Sequence, residues 1–397
     1  MTLRGALPSL AVALAAAALV AGCKSLSSDS LTLPTIPPPS FDWLTGGSNK
    51  PGPLPALTAR ATASVIWRAE IGKAGPGFAP AITPEAVYAA AQDGTLMRFD
   101  PATGRSVWRI SAGQKLEAGP GAGTALVVVG TDQGKVLAFG ADGKARWTGQ
   151  VSSEVISPPI VVGNIVVVQS GDGRIYGLAA DTGKTQWVDP RTLPSLTIRN
   201  NAGGVETRGA VFVGMAGGSL LAIATETGAI GWEGTVAVPK GSTELDRIVD
   251  VTSLPFVDEN EVCAAAYQGR VACFDVVRGT LLWTRDISSL AGITGDTSRL
   301  YVVAADGSIQ ALDRTNGASV WKQDVLAKRR IGGPQVIGDD VAVIDVQGYL
   351  HLVARADGRY VGRLATDGSA ATAQPARFGN GILWQSQKGD LYAVTAR

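Results

Sequence analysis

The residues of this 397-residue chain best suited to chemistry are one histidine and three cysteines. The histidine, His351, has no second histidine to accompany it, whereas a metal site or a catalytic triad needs several such side chains together. We expect it to stand without clustered partners, and we predict no catalytic centre, metal site or cofactor. The cysteines Cys23, Cys263 and Cys273 are not adjacent to one another. Their expected chemistry is lipid attachment and cross-linking.

Cys23 follows a short apolar segment at the N-terminus. Residues 1–22 carry one charge, Arg4, and an apolar run from Leu10 to Val20. This run is too short to span a bilayer and has the size of a signal-peptide core. It ends in Val-Ala-Gly-Cys, which resembles a bacterial lipobox. The alternative is ordinary secretion with an incidental cysteine.

The lipobox resemblance implies that residues 1–22 are removed as a signal peptide and that Cys23 carries acyl chains. Several acyl chains together give a durable membrane anchor. Lys24 stands where many lipoproteins retained in the inner membrane have Asp, which favours the periplasmic face of the outer membrane. Residues 23–60 are rich in Ser, Pro and Gly, and we expect a flexible tether. Its Phe41 and Trp43 are either incidental or contact the folded domain or the membrane.

A repeat of about 40 residues organises the remaining chain, residues 61–397. Its clearest copy, Val87 to Trp108, has an apolar strand, a glycine turn, a second strand, a Thr-Gly turn and a tryptophan. The turn glycine recurs eight times, as Gly94, Gly134, Gly173, Gly218, Gly269, Gly307, Gly348 and Gly389. Strand signals at this period predict an all-β fold, an eight-bladed β-propeller of four-stranded blades. The composition, 45% hydrophobic and 17% charged, agrees with a large core.

A tryptophan follows the turn glycine by 13 or 14 residues in six copies, as Trp108, Trp147, Trp187, Trp232, Trp283 and Trp321. Gly362 occupies this place in the seventh copy, and the eighth has no residue there. The segment Ala63 to Arg68, with Trp67, carries the same pattern ahead of the first copy. We therefore expect this N-terminal strand to complete the last blade and close the ring, which removes free strand edges. The tryptophans are expected to pack between blades.

Cys263 and Cys273 flank the turn of the fifth copy. A three-residue loop of Tyr267, Gln268 and Gly269, with Gly269 at positive φ, places Cys263 opposite Cys273 at a non-hydrogen-bonded site. The oxidising periplasm then permits a cross-strand disulfide, which we favour. A two-residue loop would put the two cysteines out of register and leave two buried thiols.

Two consecutive connections between blades are longer than the others, 24 residues from Trp187 to Val211 and 30 from Trp232 to Val262. Equivalent connections in a propeller emerge on one face, so we expect the two to lie side by side. The first contains Leu196, Ile198 and Arg199, and the second contains Asp246, Arg247 and Asp250. Apolar anchors beside charges are typical of a protein interface. The alternative is that both insertions pack on the propeller and their charges are solvated.

The lipobox, the eight repeats and the segments Pro194–Arg199 and Glu244–Val251 together resemble the BamB family, the lipoprotein subunits of the outer-membrane β-barrel assembly machinery. The resemblance runs from Cys23 to the C-terminus. The two loop segments are its more specific part, since quinoprotein dehydrogenases share the repeats. It implies a non-catalytic scaffold that aids barrel folding and insertion.

The resemblance also implies that the two loops bind the periplasmic POTRA domains of BamA, the barrel subunit. By motif it assigns this contact to Leu196, Ile198, Arg199 and Asp250, and Asp246 and Arg247 belong to the same charged cluster. It implies contacts with other subunits of the complex and leaves open contact with unfolded outer-membrane proteins. The family often has Asp-Val-Asp where this chain has Asp250-Val251-Thr252, so no second acidic residue is assigned.

Two rival classes of function remain. One is a quinoprotein-like enzyme that holds pyrroloquinoline quinone, but such enzymes carry an adjacent cysteine pair and axial carboxylates for calcium. Here His351 occupies a strand position held in other copies by Met97, Leu137 and Tyr176. The other is a peptide-binding propeller of another pathway. The net charge of +1 indicates neither nucleic acid nor an acidic partner.

Overall fold

Short apolar runs separated by glycine turns form four-stranded antiparallel sheets that repeat around a ring. The computed structural model describes residues 51–57, 61–199 and 202–397. Within these residues it contains eight such sheets and one short 3-10 helix, Ala327–Arg329. The predicted eight-bladed β-propeller is confirmed. No helix in the described ranges is long and apolar enough to cross a membrane.

The strands of the first four blades follow one another in chain order, four to a blade. They are β2 (Ala81–Thr83), β3 (Ala86–Ala90), β4 (Thr95–Phe99), β5 (Ser106–Ser111), β6 (Gly121–Ala122), β7 (Leu126–Gly130), β8 (Lys135–Gly140), β9 (Ala145–Gln150), β10 (Ile160–Val162), β11 (Ile165–Gln169), β12 (Ile175–Ala179), β13 (Thr185–Asp189), β14 (Gly204–Thr207), β15 (Ala210–Gly214), β16 (Ser219–Ala224) and β17 (Ile230–Thr235).

Blades 5 to 7 continue the same order, and blade 8 takes its outer strand from the start of the chain. The strands are β18 (Phe256–Val257), β19 (Glu261–Ala265), β20 (Val271–Asp275), β21 (Leu281–Arg285), β22 (Gly292–Gly295), β23 (Arg299–Val303), β24 (Ile309–Asp313), β25 (Ser319–Gln323), β26 (Gln335–Ile337), β27 (Asp340–Ile344), β28 (Tyr349–Ala354), β29 (Tyr360–Ala365), β30 (Ala376–Phe378), β31 (Gly381–Gln385), β32 (Asp390–Ala396) and β1 (Ala63–Glu70).

The ring closes through β1, as expected. This strand pairs antiparallel with β32, from Ala63 opposite Ala396 to Glu70 opposite Asp390. Trp67 of β1 is buried against the first blade. Because the first and last strands of the propeller, β1 and β32, pair in one sheet, blade 8 has four strands like every other blade.

The repeated tryptophan attaches each blade to the next. A β-bulge in the outer strand directly precedes each of these tryptophans and turns its ring toward the neighbouring blade. Trp283, for example, donates its indole N–H to the Arg314 carbonyl at 2.6 Å and covers Gly317, where a Cβ would lie 2.4 Å from the ring. The same bond to the next blade is made by Trp67, Trp108, Trp147, Trp187, Trp232 and Trp321.

Gly362 stands at the tryptophan position of blade 7 because the incoming N-terminal chain takes the space. Ala61 donates its backbone N–H to the Val361 carbonyl at 2.8 Å. A Cβ on Gly362 would lie 2.6 Å from the Ala61 carbonyl oxygen. The exception in the repeat therefore marks where the chain enters the ring.

Residues 51–57, which the sequence analysis includes in the tether, lie against blade 7. Gly52 donates its N–H to the Lys328 carbonyl at 2.9 Å and accepts a hydrogen bond from Arg329. Arg363 donates to the Pro55 carbonyl at 3.4 Å. Cys23, the lipobox, Phe41 and Trp43 lie outside the described residues, so the signal peptide and lipid anchor stay predictions.

Candidate protein interface

The two long connections lie on the face of the ring that also carries the hairpin turns. The first long connection, of which residues 190–199 and 202–203 are described, joins β13 to β14, and the second, residues 236–255, joins β17 to β18. Val236 donates its N–H to the carbonyl of the turn glycine Gly218 at 2.9 Å. Gly173, the turn glycine of blade 3, lies against Leu193 of the first connection. Function concentrates in such loops on a rigid scaffold.

Asp250 joins the two long connections. One carboxylate oxygen accepts the backbone N–H of Ile198 at 2.5 Å, and the other accepts that of Gly217 at 2.9 Å. The residue is only 2% exposed, so its charge does not reach the surface. Asp250 was expected to contact a partner at the surface. The structure instead places its side chain beneath the surface, where it positions Ile198. The expected side-by-side arrangement of the two connections is present.

The first long connection exposes the side chains expected to anchor a partner. Leu196 is 45% exposed, and Arg199 is about half exposed. Arg199 donates to Glu117 at 3.0 Å and lies 3.8 Å from Glu154. These acidic residues lie in the connections that follow blades 1 and 2. Sequence reasoning missed both, because the Arg199–Glu117 pair spans 82 residues and no local pattern signals it.

The charge on Glu154 is stabilised locally. The Ser153 hydroxyl donates to its carboxylate and lowers its pKa the most, burial acts in the opposite direction, and Arg199 adds a further lowering. The net effect holds the pKa of Glu154 below its usual value, so it stays ionised beside Arg199 near neutral pH. Arg199 is thereby held between the connections that follow blades 1 and 2.

The second long connection presents an exposed tip. Leu245 is 62% exposed and Val238 is 57% exposed. Asp246 accepts hydrogen bonds within its own turn from the Thr243 hydroxyl, which lowers its pKa, and from the Thr243 N–H at 3.2 Å. Arg247 is exposed and lies 3.8 Å from Glu244. Asp246 therefore shapes the turn, while Arg247 and the two apolar side chains face solvent.

The hairpin of blade 5 has the register that the three-residue loop predicts. Cys263 lies opposite Cys273 with their Cα atoms 4.0 Å apart, and the two sulfurs are bonded. The expectation of positive φ at Gly269 is wrong, since Gln268 takes that conformation with φ of 48°. Gly269 is needed for space instead: a Cβ there would lie 2.6 Å from the Cβ of Ala237, which packs over the turn.

Glu261 lies close enough to both cysteines for the three side chains to hold a metal ion. Arg314 donates to the Glu261 carboxylate at 2.7 Å, and the sulfurs are bonded to each other. A metal would need the thiolates that this bond consumes. In the structure the two cysteines therefore form a disulfide that is packed between blades 5 and 6.

His351 is fully buried in blade 7, and the expectation that it has no partners is wrong. Its Nε2 lies 2.8 Å from Asp345 and its Nδ1 lies 2.9 Å from the Tyr360 hydroxyl. Arg329 donates to the same carboxylate at 2.9 Å. Burial opposes ionisation of Asp345, but hydrogen bonds from His351, the Tyr349 N–H and Arg329 hold its pKa below the usual value. His351 has no exposed ring surface and supports the Asp345 carboxylate, which in turn ties blade 7 to the 3-10 helix through Arg329.

Comparison with known proteins finds a family model described as "Outer membrane protein assembly factor BamB", which matches residues 92–323 and 305–397. The protein of that name from Bordetella pertussis is 39% identical over 349 residues, covering 87% of this chain and 90% of the relative. The one from Nitrosomonas eutropha is 40% identical over 342 residues, covering 86% and 84%.

Solved structures agree with these relatives. BamB from Moraxella catarrhalis superposes with a TM-score of 0.78 at 26% identity, covering 84% of this chain and all of that one. A quinohemoprotein alcohol dehydrogenase from Comamonas testosteroni has a TM-score of 0.64 at 14% identity, covering 84% and 76%, which is a likeness of fold alone. The chain belongs to the family of the outer membrane protein assembly factor BamB.

Proposed function

We propose that this protein is a non-catalytic, lipid-anchored scaffold in the assembly of outer-membrane β-barrel proteins, and that it docks on the POTRA domains of BamA. One observation carries the proposal. Asp250 of the second long connection accepts hydrogen bonds from Ile198 of the first and from Gly217, so the two connections are held together as one surface. The names of the relatives support the role in assembly.

The chemistry of this surface suits a protein partner. Leu196 is half exposed on the first connection, and Leu245 and Val238 are more exposed on the second. Exposed apolar anchors bordered by cations such as Arg199 and Arg247 are the pattern in which a few side chains supply most of the binding energy. Ile198, which lies between Leu196 and Arg199 in the chain, has its backbone fixed by the hydrogen bond to Asp250.

The anchor is the second part of the proposal. Acylated Cys23 would hold the propeller at the periplasmic face of the outer membrane. Before the chain enters the ring, Gly52 contacts the 3-10 helix by donating its N–H to the Lys328 carbonyl. Other subunits of the assembly complex are further proposed partners, and unfolded outer-membrane proteins are proposed clients.

The test is a titration of the purified protein with the POTRA domains of BamA. The double variant Leu196→Ala/Arg199→Ala should bind about a hundredfold more weakly, since central anchors contribute about 2 kcal/mol or more each. A matched control is Leu282→Ala/Arg285→Ala on the outer strand β21, where both side chains are similarly exposed. Equal affinities for the two double variants would leave the long connections without this role.

A further inference from the structure

The chain enters the ring at the face opposite to the two long connections. We call the face with the long connections and the turn glycines the connection face. Strand β32 starts at Asp390, directly after the turn glycine Gly389, and therefore ends with Ala396 at the opposite face. Ala63, the first residue of β1, pairs with Ala396. A tether that continued straight from β1 would leave the propeller at the opposite face, away from the proposed docking surface.

Residues 51–57, which we call the strap, hold the chain on the connection face before it enters the ring. Gly52 donates its N–H at 2.9 Å to the carbonyl of Lys328, in the 3-10 helix of the connection between blades 6 and 7. Between the two faces, Arg363 of the outer strand β29 donates to the Pro55 carbonyl at 3.4 Å. The strap therefore lies on the outer strand of blade 7, and its N-terminal end is on the connection face.

A buried charge network ends on the strap. Arg329 is 2% exposed, and its Nη1 donates to the Gly52 carbonyl. Its Nε donates to Asp345 at 2.9 Å, and its Nη2 donates to Gln347 at 2.7 Å. Asp345 is fully buried and lies 2.8 Å from Nε2 of His351, which is buried as well. Among the described residues that accept from this guanidinium, Gly52 is the one that lies outside blade 7.

This network has the form of a site that fixes one position of a chain segment. A buried ion pair adds little net stability, and its best-attested use is to select one arrangement of the chain. The strap suits such a site, because Pro51, Pro53 and Pro55 fix three φ angles and reduce the entropy lost on docking. A Cβ on Gly52 would lie 2.9 Å from the Cβ of Lys328, so any side chain there would hinder the approach.

We propose that Arg329, Asp345 and His351 form a receptor for the strap, which moves the exit of the membrane tether from the opposite face to the connection face. The anchored protein then holds its connection face, with the docking surface, nearer the bilayer. A flexible chain of the length of residues 24–50 spans roughly 30 Å, short enough for the exit point to bias this orientation. The orientation rests on the proposed lipidation of Cys23, whereas the exit point does not.

The exit point is measured in the full chain with Cys23→Ser, where the remaining cysteines are joined in the disulfide. Spin labels at Ser48→Cys and Lys388→Cys, in the blade 8 hairpin turn, give the distance to the connection face by pulsed electron paramagnetic resonance. Labels at Ser48→Cys and Thr297→Cys, in the turn between β22 and β23, give the distance to the opposite face. We expect the first distance to be the shorter one.

Gly52→Val should reverse this order, because it blocks docking of the strap without altering the buried network. The matched control Ala56→Val, at an exposed position of the strap, should leave the order unchanged. The proposal is overturned if the wild-type chain is closer to Thr297, or if Gly52→Val gives the wild-type order.

Hydrogen exchange tests the receptor itself. Arg329→Lys keeps a cation beside Asp345 but lacks the planar fork that reaches Asp345 and Gly52 together. The strap amides should then exchange at least about tenfold faster, as the loss of one charge-assisted hydrogen bond implies. Unchanged protection of the strap in a folded Arg329→Lys protein would show that this network does not hold it.

The orientation is measured with the lipoprotein in vesicles of phosphatidylethanolamine and phosphatidylglycerol that contain an acceptor-labelled lipid. Energy transfer from a dye on Lys388→Cys should exceed that from a dye on Thr297→Cys, and Gly52→Val should reverse the difference. Equal transfer from the two faces would refute the orientation. A lipoprotein that does not bind the vesicles would contradict the proposed anchor, and the exit point would still be decided by the spin labels.

Discussion

Asp250 is buried although it belongs to a segment rich in exposed charges. Both of its oxygens accept backbone N–H groups, one from Ile198 of the first long connection and one from Gly217 in the hairpin turn of blade 4. A carboxylate that satisfies two buried donors in this way is a positioning residue. Removing it leaves the donors of Ile198 and Gly217 unpaired, which costs more than the bonds contribute when present.

We predict that Asp250→Ala lowers the free energy of unfolding by about 1–3 kcal/mol, the cost of burying an unsatisfied polar group. The amide hydrogens of Ile198 and Gly217 should exchange faster with solvent, and Asp250→Asn, which keeps one acceptor oxygen, should lie between. Denaturant titration and hydrogen exchange measure both. Unchanged exchange together with lost BamA binding would mean that Asp250 contacts the partner directly.

The disulfide between Cys263 and Cys273 in blade 5 is open to a direct chemical test. Under denaturing, non-reducing conditions we expect neither Cys263 nor Cys273 to be alkylated, and both to be alkylated after reduction. The bond closes a short loop, with the cysteines 10 residues apart, so the double variant Cys263→Ala/Cys273→Ala should lose about 2 kcal/mol of stability or less. Intact mass decides the first point, and two thiols that alkylate without reductant would refute the bond.

Strand β1 is the element on which closure of the ring depends. It supplies the outer strand of blade 8 and the buried Trp67, whose indole N–H donates to the Pro101 carbonyl of blade 1 at 2.9 Å. Without it, β32 has an unpaired edge and blade 1 loses the ring that covers Gly104.

A protein that begins at residue 72 should therefore be much less stable than one that begins at residue 61. The loss of one buried tryptophan alone costs about 3–5 kcal/mol. Thermal unfolding of the two proteins compares them directly, because both lack the tether and only one lacks β1. If they melt at the same temperature, β1 does not close the ring.

The blades could be predicted from sequence because their signals are local. The turn glycine and the tryptophan repeat at fixed spacing, and counting outward from the turn placed Cys263 opposite Cys273. What could not be predicted depends on contacts between distant segments. Ala237 packs over the blade 5 turn and excludes a side chain at Gly269, and the positive φ of the turn falls at Gln268 instead. The burial of Asp250 beneath the first connection has the same cause, since its partner Ile198 is 52 residues away.

At the scale of the whole molecule, the face of the ring with the two long connections also carries the 3-10 helix, whose Arg329 donates to the Gly52 carbonyl of the N-terminal segment. The proposed lipidation of Cys23 would decide where this face operates. Cys23→Ser should abolish incorporation of labelled palmitate and leave the protein soluble or uncleaved. Palmitate incorporated into that variant would refute Cys23 as the anchor.

Docking on BamA is tested most directly by affinity purification of the full lipoprotein from solubilised outer membrane, with identification of the proteins that come with it. The wild type and the outer-strand control Leu282→Ala/Arg285→Ala should both recover BamA. The double variant Leu196→Ala/Arg199→Ala should recover little of it at equal expression. Absence of BamA from the wild-type sample, or equal recovery by all three proteins, would contradict the proposed interface.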